Sequence, residues 1–131
     1  MIKIQKLNYE NINHKYLSLL SQLTIVNLDY LDENKVKQFL LSLNDYHQVF
    51  IAINSENSEV IGSVTVLIEQ KIIRDFGLVG HIEDVVVDIN SRGKHIGKSL
   101  INYAVDYCKN KKCYKVILDC DEDNVGFYDK C

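Results

Sequence analysis

The chain has 131 residues and a formal net charge of −3, with 47% hydrophobic and 25% charged residues. This length and composition are typical of a single globular domain with its own core, and they exclude a disordered chain. The acidity and the absence of a basic stripe argue against a nucleic-acid-binding protein. No apolar run approaches the roughly 20 residues that span a bilayer.

The cysteines and histidines are scattered along the chain. None of the four cysteines forms a Cys-x-x-Cys pair, and the four histidines lack metal-ligand spacing. We therefore expect no metal cofactor, and we expect reduced cysteines that pack inside an intracellular protein. The segment Met1–Lys6 lacks the apolar core of a signal peptide, which predicts a cytoplasmic location.

Hydrophobic periodicity divides the first half of the chain into five elements. Asn8 and Asp32 are placed to cap the two predicted helices, and Gly62 is a candidate β-bulge. The predicted elements are, in order, a strand over Ile2–Leu7, a helix over Tyr9–Leu23, a helix carrying Val36, Phe39, Leu40 and Leu43, and strands over Gln48–Asn54 and Val60–Gln70 joined by the turn Ser55–Ser58.

The second half predicts a strand, a helix, a strand and a short helix. These elements cover His81–Asp88, Gly97–Lys109, Tyr114–Cys120 and a segment from Asn124, after a mixed segment at Lys71–Gly80. Two strands that flank one helix indicate a parallel pair with a right-handed crossover, whereas strands joined by short turns should be antiparallel. We expect one α/β domain over residues 1–131, with a mixed twisted sheet and helices on both faces.

The turn from Arg92 to Lys98 is a candidate anion site. It lies where a strand ends and a helix begins, and the first N–H groups of a helix point outward at the positive end of its dipole. Gly93 and Gly97 allow a ligand close to the backbone, and Arg92, Lys94 and Lys98 add positive charge. This chemistry suits a pyrophosphate. The alternative is an ordinary strand-to-helix turn with solvated lysines. The patterns of a P-loop and of a dinucleotide-binding turn are both absent.

The segment Arg92-Gly93-Lys94-His95-Ile96-Gly97 resembles the acetyl-CoA signature of the GNAT N-acetyltransferases, Arg/Gln-x-x-Gly-x-Gly/Ala. His95 stands where the middle glycine is usual. Further segments resemble one branch, the eukaryotic glucosamine-6-phosphate N-acetyltransferases. They are Gly80–Val87 as its fourth strand, Cys113–Cys120 as its fifth, Asn124–Cys131 as the following helix, and the short Gln22-Leu23-Thr24.

The resemblance implies the GNAT fold, acetyl-CoA as acetyl donor and the 2-amine of glucosamine 6-phosphate as acceptor in UDP-N-acetylglucosamine biosynthesis. It also implies a homodimer. Expected cofactor contacts are the backbones of Val85, Val86 and Val87, the signature residues Arg92, Gly93, Lys94, His95, Ile96, Gly97 and Lys98, and Asn124, Phe127 and Tyr128. Expected sugar contacts are Leu23, Thr24, Glu83, Asp84, Asp119 and Cys120.

Asp119 and Tyr128 are the expected catalytic residues. Asp119 ends an apolar run, where a carboxylate is costly unless it is paired, and the resemblance gives it the substrate ammonium to orient and deprotonate. A phenol with a pKa of ~10 can protonate a thiolate of pKa ~8.5, which suits Tyr128. The alternatives are an Asp that bonds the next turn and a core tyrosine. Glu83 and Asp84 are adjacent on a strand and should point to opposite faces unless the strand bulges.

Two alternatives and one departure accompany this interpretation. The chain could acetylate another amine, such as a polyamine or a protein N-terminus, or could be a non-catalytic acyl-CoA-binding module. The resembling family continues beyond the position of Cys131 with a strand that joins the dimer. We therefore expect the sheet to lack that strand.

Overall fold

The computed structural model of the chain describes residues 1–26 and 31–118. In these ranges one sheet has the strand order β1-β2-β3-β4-β5. Strands β1 to β4 pair antiparallel, whereas β4 and β5 are parallel, which confirms the predicted mixed sheet. The strands are β1 Ile2–Lys6, β2 His47–Asn54, β3 Val60–Gln70, β4 Leu78–Val87 and β5 Cys113–Leu118.

In the described part of the chain, three α-helices flank the sheet: α1 His14–Leu20, α2 Glu33–Ser42 and α3 Ile96–Asn110. Helix α3 connects β4 to β5, so the predicted parallel crossover is confirmed. The prediction of one helix over Tyr9–Leu23 is wrong, because the chain makes only a 3-10 turn before α1 begins. The Asn13 side chain accepts a hydrogen bond from the Tyr16 N–H at 3.0 Å. This cap starts a new helix instead of continuing the first.

Strand β4 begins three residues before the predicted His81, because Leu78 pairs with both β3 and β5. The preceding segment Ile73–Phe76 is a single left-handed turn, with Arg74 at φ 57° and ψ 43°. Helix α3 begins one residue before the predicted Gly97. The end of the predicted strand Tyr114–Cys120 and the predicted helix from Asn124 lie outside the described residues.

The core has two layers, one on each face of the sheet. Neighbouring residues of one strand alternate between them: Val49 packs on the α1 side, and Phe50 packs on the α3 side. Leu19 of α1 and Leu100 of α3 are 2% and 0% exposed. Burying such a side chain contributes about 1.5–3 kcal/mol. Helices on both faces were predicted, and the two layers confirm them.

Strand β4 carries a β-bulge beside the α1 layer. Val86 pairs with Ser63 and Glu83 pairs with Thr65, so Asp84 and Val85 together stand opposite one residue of β3. Asp84 adopts a left-handed conformation with φ 53°. A bulge of this kind bends the strand and redirects its side chains. A second irregularity, next to Gly62 of β3, agrees with the predicted bulge there.

Candidate active site

The segment that follows β4 is tied to the end of the sheet by two hydrogen bonds. The Asp88 N–H donates to the Ile61 carbonyl at 2.8 Å. The Arg92 side chain donates from Nε to the Val87 carbonyl at 3.2 Å. Arg92 therefore holds the signature segment against β4.

Two residues of the signature segment are left-handed. Gly93 has φ 86°, and a side chain built there would meet no atom within 4 Å. His95 has φ 61° and ψ 22°. Glycine adopts this conformation without steric cost, whereas a residue with a Cβ does so at a cost. His95 thus keeps the backbone conformation for which glycine is suited, which explains how the signature accommodates its one departure.

The N-terminus of α3 presents free backbone donors. The Ser99 N–H bonds the His95 carbonyl at 3.0 Å, so the N–H groups of Ile96, Gly97 and Lys98 precede this helical bond. The His95 side chain makes no capping bond. Ile96 is 3% exposed, and its side chain belongs to the core. Free N–H groups at a positive dipole end suit a phosphate anion.

Within residues 1–26 and 31–118, strand β4 has an open edge next to this turn. Its pairing with β5 runs from Leu78 to Ile82, where it meets Leu118. Among the described residues, Val86 and Val87 pair with β3 on one side and have no strand partner on the other. Val85, Val86 and Val87 are at most 6% exposed, and their side chains belong to the core. The expected backbone contacts of these three residues with the cofactor stay a prediction.

A cavity of about 470 Å³ lies between α1, α2 and the sheet. This volume is in the range of small-ligand sites. Three of the residues predicted to bind the sugar, Leu23, Thr24 and Asp84, line it together. The walls are mostly apolar except for Asp32 and Lys35 at the start of α2, and four polar residues come from the sheet and α1. These polar residues are Tyr16, Ser63, Thr65 and Asp84, which we call the polar floor.

The bulge changes the predicted orientation of the two adjacent carboxylates. Glu83 stands directly opposite Thr65, so the two side chains share a face. Thr65 and Asp84 line the same cavity. Glu83 and Asp84 were expected to point to opposite faces unless the strand bulges, and the observed bulge is that exception, because it interrupts the alternation. Both carboxylates lie on the side of the cavity, where negative charge attracts an ammonium group.

The hydroxyl groups of Tyr16 and Ser63 form a hydrogen bond of 2.9 Å in the polar floor. Tyr16 is 6% exposed and Ser63 2%. Burial raises the pKa of Tyr16; the bond to Ser63 lowers it in part, and the charge of Asp84 raises it further. Sequence reasoning missed this pair. The available signal was Ser63 itself: a polar residue in the otherwise apolar run of β3 needs a hydrogen-bond partner when it is buried.

The end of α1 is connected to the end of β4. The Ile89 N–H donates to Gln22 Oε1 at 2.9 Å. This bond holds the segment carrying Leu23 and Thr24 over the cavity. Gln22 was missed as a site residue, although it belongs to the short segment Gln22-Leu23-Thr24 on which the resemblance depends.

Five of the expected site residues, Asp119, Cys120, Asn124, Phe127 and Tyr128, lie outside the described residues. Within residues 1–26 and 31–118, no three His, Cys, Asp or Glu side chains are grouped to hold a metal ion. In the same ranges, no helix has the length and hydropathy needed to cross a membrane. The absence of a metal remains a prediction.

Comparisons with known proteins agree with this geometry. The profile of the acetyltransferase (GNAT) family matches residues 16–131. The glucosamine 6-phosphate N-acetyltransferase of Arabidopsis thaliana is 39% identical over 98% of this chain and 87% of its own length. The enzyme of the same name from Candida albicans is 34% identical over 97% and 85%.

Solved structures extend the likeness to the fold. The crystal structure of the Arabidopsis enzyme has a TM-score of 0.90 at 35% identity and covers 100% of this chain and 90% of its own. An acetyltransferase of Trypanosoma brucei has a TM-score of 0.87 at 30% identity, covering 99% and 90%.

Proposed function

The chain belongs to the GNAT acetyltransferase family, and from that premise we propose that it transfers acetyl from acetyl-CoA to the 2-amine of glucosamine 6-phosphate. The observation that carries this proposal is the near-full-length similarity to enzymes of that name. The position of Leu23, Thr24 and Asp84 around one cavity supports it. The products are N-acetylglucosamine 6-phosphate and CoA.

The donor would bind along two features that meet at the end of β4. The free N–H groups at the start of α3 suit the pyrophosphate of CoA, with Lys94 and Lys98 adding exposed positive charge. The open edge of β4 suits the extended pantetheine arm, because a strand edge offers alternating donors and acceptors. Free N–H groups of that edge can also polarise the thioester carbonyl.

The acceptor would enter the cavity on the α1 side of β4. Glu83 and Asp84 supply negative charge for the ammonium form of the amino sugar. The neutral amine attacks the thioester carbon, the carbon–sulfur bond breaks, the nitrogen loses a proton and the thiolate gains one. Direct attack requires no covalent enzyme intermediate. Holding both reactants on one strand supplies the proximity that the reaction needs.

We assign the two proton transfers to Asp119 and Tyr128. The substitution Asp119→Asn should lower kcat by about 100-fold or more, because general base catalysis contributes 10²–10⁴-fold. The Kd for acetyl-CoA, measured by calorimetry, should stay unchanged. Equal turnover in the variant would remove Asp119 from the mechanism.

Tyr128→Phe should slow release of the thiol, and an unchanged rate would remove Tyr128 from the mechanism.

The proposed reaction is tested by the release of free thiol from acetyl-CoA with three acceptors offered in parallel: glucosamine 6-phosphate, glucosamine and spermidine. We expect release with the phosphorylated sugar at low concentration and much weaker release with the other two. Preferred release with spermidine would assign a different amine to the cavity. Binding of acetyl-CoA without release for any amine would indicate a non-catalytic module.

We further propose a homodimer in the cytoplasm, as the family resemblance implies. Sedimentation velocity at several concentrations tests the assembly, and a single species with the mass of one 15.1 kDa chain would contradict it. Immunofluorescence of the full-length protein tests the location.

A further inference from the structure

We propose that the hydroxyl pair of Tyr16 and Ser63 recognises a ring hydroxyl of the acceptor and so selects a hydroxylated amine. The inference rests on the proposed function and adds a specificity determinant to it. Both residues line the same cavity as Asp84, Leu23 and Thr24. Tyr16 comes from α1 and Ser63 from β3, so two elements must dock correctly to bring the pair together.

The two hydroxyl groups carry more donors than their mutual bond uses. Each hydroxyl has one O–H donor and two acceptor lone pairs. The pair forms one hydrogen bond of 2.9 Å, in which either oxygen can be the donor. One O–H therefore remains available. In the described part of the chain, neither side chain has another hydrogen-bond partner.

The available O–H is at the surface of the cavity and yet shielded from bulk solvent. Tyr16 and Ser63 are 6% and 2% exposed. A buried polar group without a partner is rare in folded proteins, because leaving it unpaired costs free energy. A ligand hydroxyl, which can both accept and donate, is suited to meet this group. An aliphatic amine chain offers no such acceptor.

The distribution of polar side chains in the cavity supports the same proposal. The walls from α1 and α2 are formed largely by Leu, Ile, Val and Phe side chains. The polar floor combines the hydroxyl pair with Thr65 and the carboxylate of Asp84. An amino sugar carries an ammonium group and adjacent hydroxyls, so one end of the molecule satisfies both the carboxylate and the free O–H.

The test couples a change in the protein to a change in the substrate. Tyr16→Phe and Ser63→Ala each remove one hydroxyl. The 3-deoxy and 4-deoxy analogues of glucosamine 6-phosphate and its 1,5-anhydro analogue each remove one hydroxyl from the acceptor. We expect Tyr16→Phe to lower kcat/KM for the complete sugar by roughly tenfold, mainly through KM, in line with the loss of one hydrogen bond.

The decisive quantity is the coupling between the two losses in kcat/KM, one caused by the substitution in the protein and the other by the missing hydroxyl of the sugar. In the unchanged chain, one analogue should lose roughly tenfold in kcat/KM. In the variant that lacks the hydroxyl bonded to this sugar hydroxyl, Tyr16→Phe or Ser63→Ala, kcat/KM with that analogue should fall little further, because the hydrogen bond is already absent. Both variants are measured, because either oxygen of the pair can carry the available O–H. Fully additive losses for every analogue in both variants would overturn the inference.

Tyr107→Phe is the matched control. The Tyr107 hydroxyl donates to the Asp45 carbonyl at 2.7 Å, and its ring packs on Phe50 in the α3 layer. The substitution removes one tyrosine hydrogen bond away from the cavity, so kcat/KM should stay within twofold for every acceptor. No turnover of glucosamine 6-phosphate by the unchanged chain would overturn the proposed function, and this inference with it. Turnover with additive losses would overturn this inference alone.

Discussion

Single residues in left-handed conformations shape the site. Asp84 has φ 53° and creates the bulge of β4. His95 has φ 61° and precedes α3. A left-handed conformation costs an L-residue roughly 1–2 kcal/mol, and such strain often occurs at functional sites. Both strained residues adjoin the open edge of β4, one at each end of the proposed donor path.

The substitution His95→Gly should stabilise the folded chain. It removes the strain of the left-handed residue, while the added chain entropy of glycine offsets part of the gain, so we expect about 0.5–1 kcal/mol. Urea unfolding measures the change. His95→Ala is the control, because alanine keeps the Cβ and should give no gain. A loss of stability in His95→Gly would show that the histidine side chain contributes more than its strain costs.

Cys108 should make the folded chain less stable as the pH becomes alkaline. It is 0% exposed, as the packing role predicted for it requires. Burial, together with the neighbouring Cys113, raises the pKa of its thiol from 9.0 to about 12. The folded chain thus keeps this proton over a range in which the unfolded chain loses it. The contribution is complete below pH 9 and is lost as the pH rises towards 12.

The measurement is urea unfolding at several pH values between neutrality and the pKa of the folded thiol. Burial also raises the pKa values of Tyr16 and Tyr107, so these residues add to the same trend. The comparison with Cys108→Ala isolates the thiol: the decline of the unfolding free energy with pH should be shallower in the variant. Parallel declines would show that Cys108 does not titrate with unfolding.

At the scale of elements, α3 lies so close to β4 that one strand position has no room for a side chain. A Cβ at Gly80 would collide with Sγ of Cys108 and lie 3.0 Å from its Cβ. The close approach of α3 therefore requires a glycine at position 80. The same helix begins at the signature turn, so its distance from the sheet also determines where its free N–H groups lie.

The substitution Gly80→Ala should destabilise the chain by about 1–3 kcal/mol, as overpacking of a core does. Urea unfolding gives the value. In a Cys108→Ala background the same substitution should cost less, because the sulfur that it strikes is absent. An equal cost in both backgrounds would assign the effect to the conformation of the strand instead of to the contact with α3.

At the scale of the whole molecule, the two faces of the sheet are divided between packing and ligand binding. The α3 face is filled by a continuous core, whereas the α1 face contains the cavity. Strand β4 borders both the cavity and the signature turn. Donor and acceptor can thus approach the same strand from different directions, which suits direct transfer between them.

Acetyl-CoA should stabilise the folded chain through binding. At a concentration of one hundred times Kd, a ligand that binds only the folded state adds about 2.7 kcal/mol. Thermal or urea unfolding with and without acetyl-CoA measures this gain. Acetyl-pantetheine, which lacks the nucleotide and the pyrophosphate, is the control and should stabilise much less at the same concentration. Equal stabilisation by both would exclude the turn at α3 as a phosphate site.

Local patterns in the sequence were enough to predict most of the elements. The strand Val60–Gln70 was predicted at its observed bounds, and the Asp32 side chain caps α2 as expected, whereas Asn8 caps only the 3-10 turn before α1. The crossover between β4 and β5 followed from the order of elements alone. These features depend on neighbours along the chain, and neighbours are visible in the sequence. The roles of Asp119 and Tyr128 stay predictions that follow from the resemblance.

The sequence by itself thus determined the class of fold, the order of most elements along the chain and the place of the signature turn. Only the tertiary structure decided the bulge at Asp84, because a bulge depends on the register between β3 and β4. It also decided the pairing of Tyr16 with Ser63, which are 47 residues apart. The physical reason is the same in both cases: register and side-chain contact arise when elements dock, and no local pattern encodes the geometry of docking.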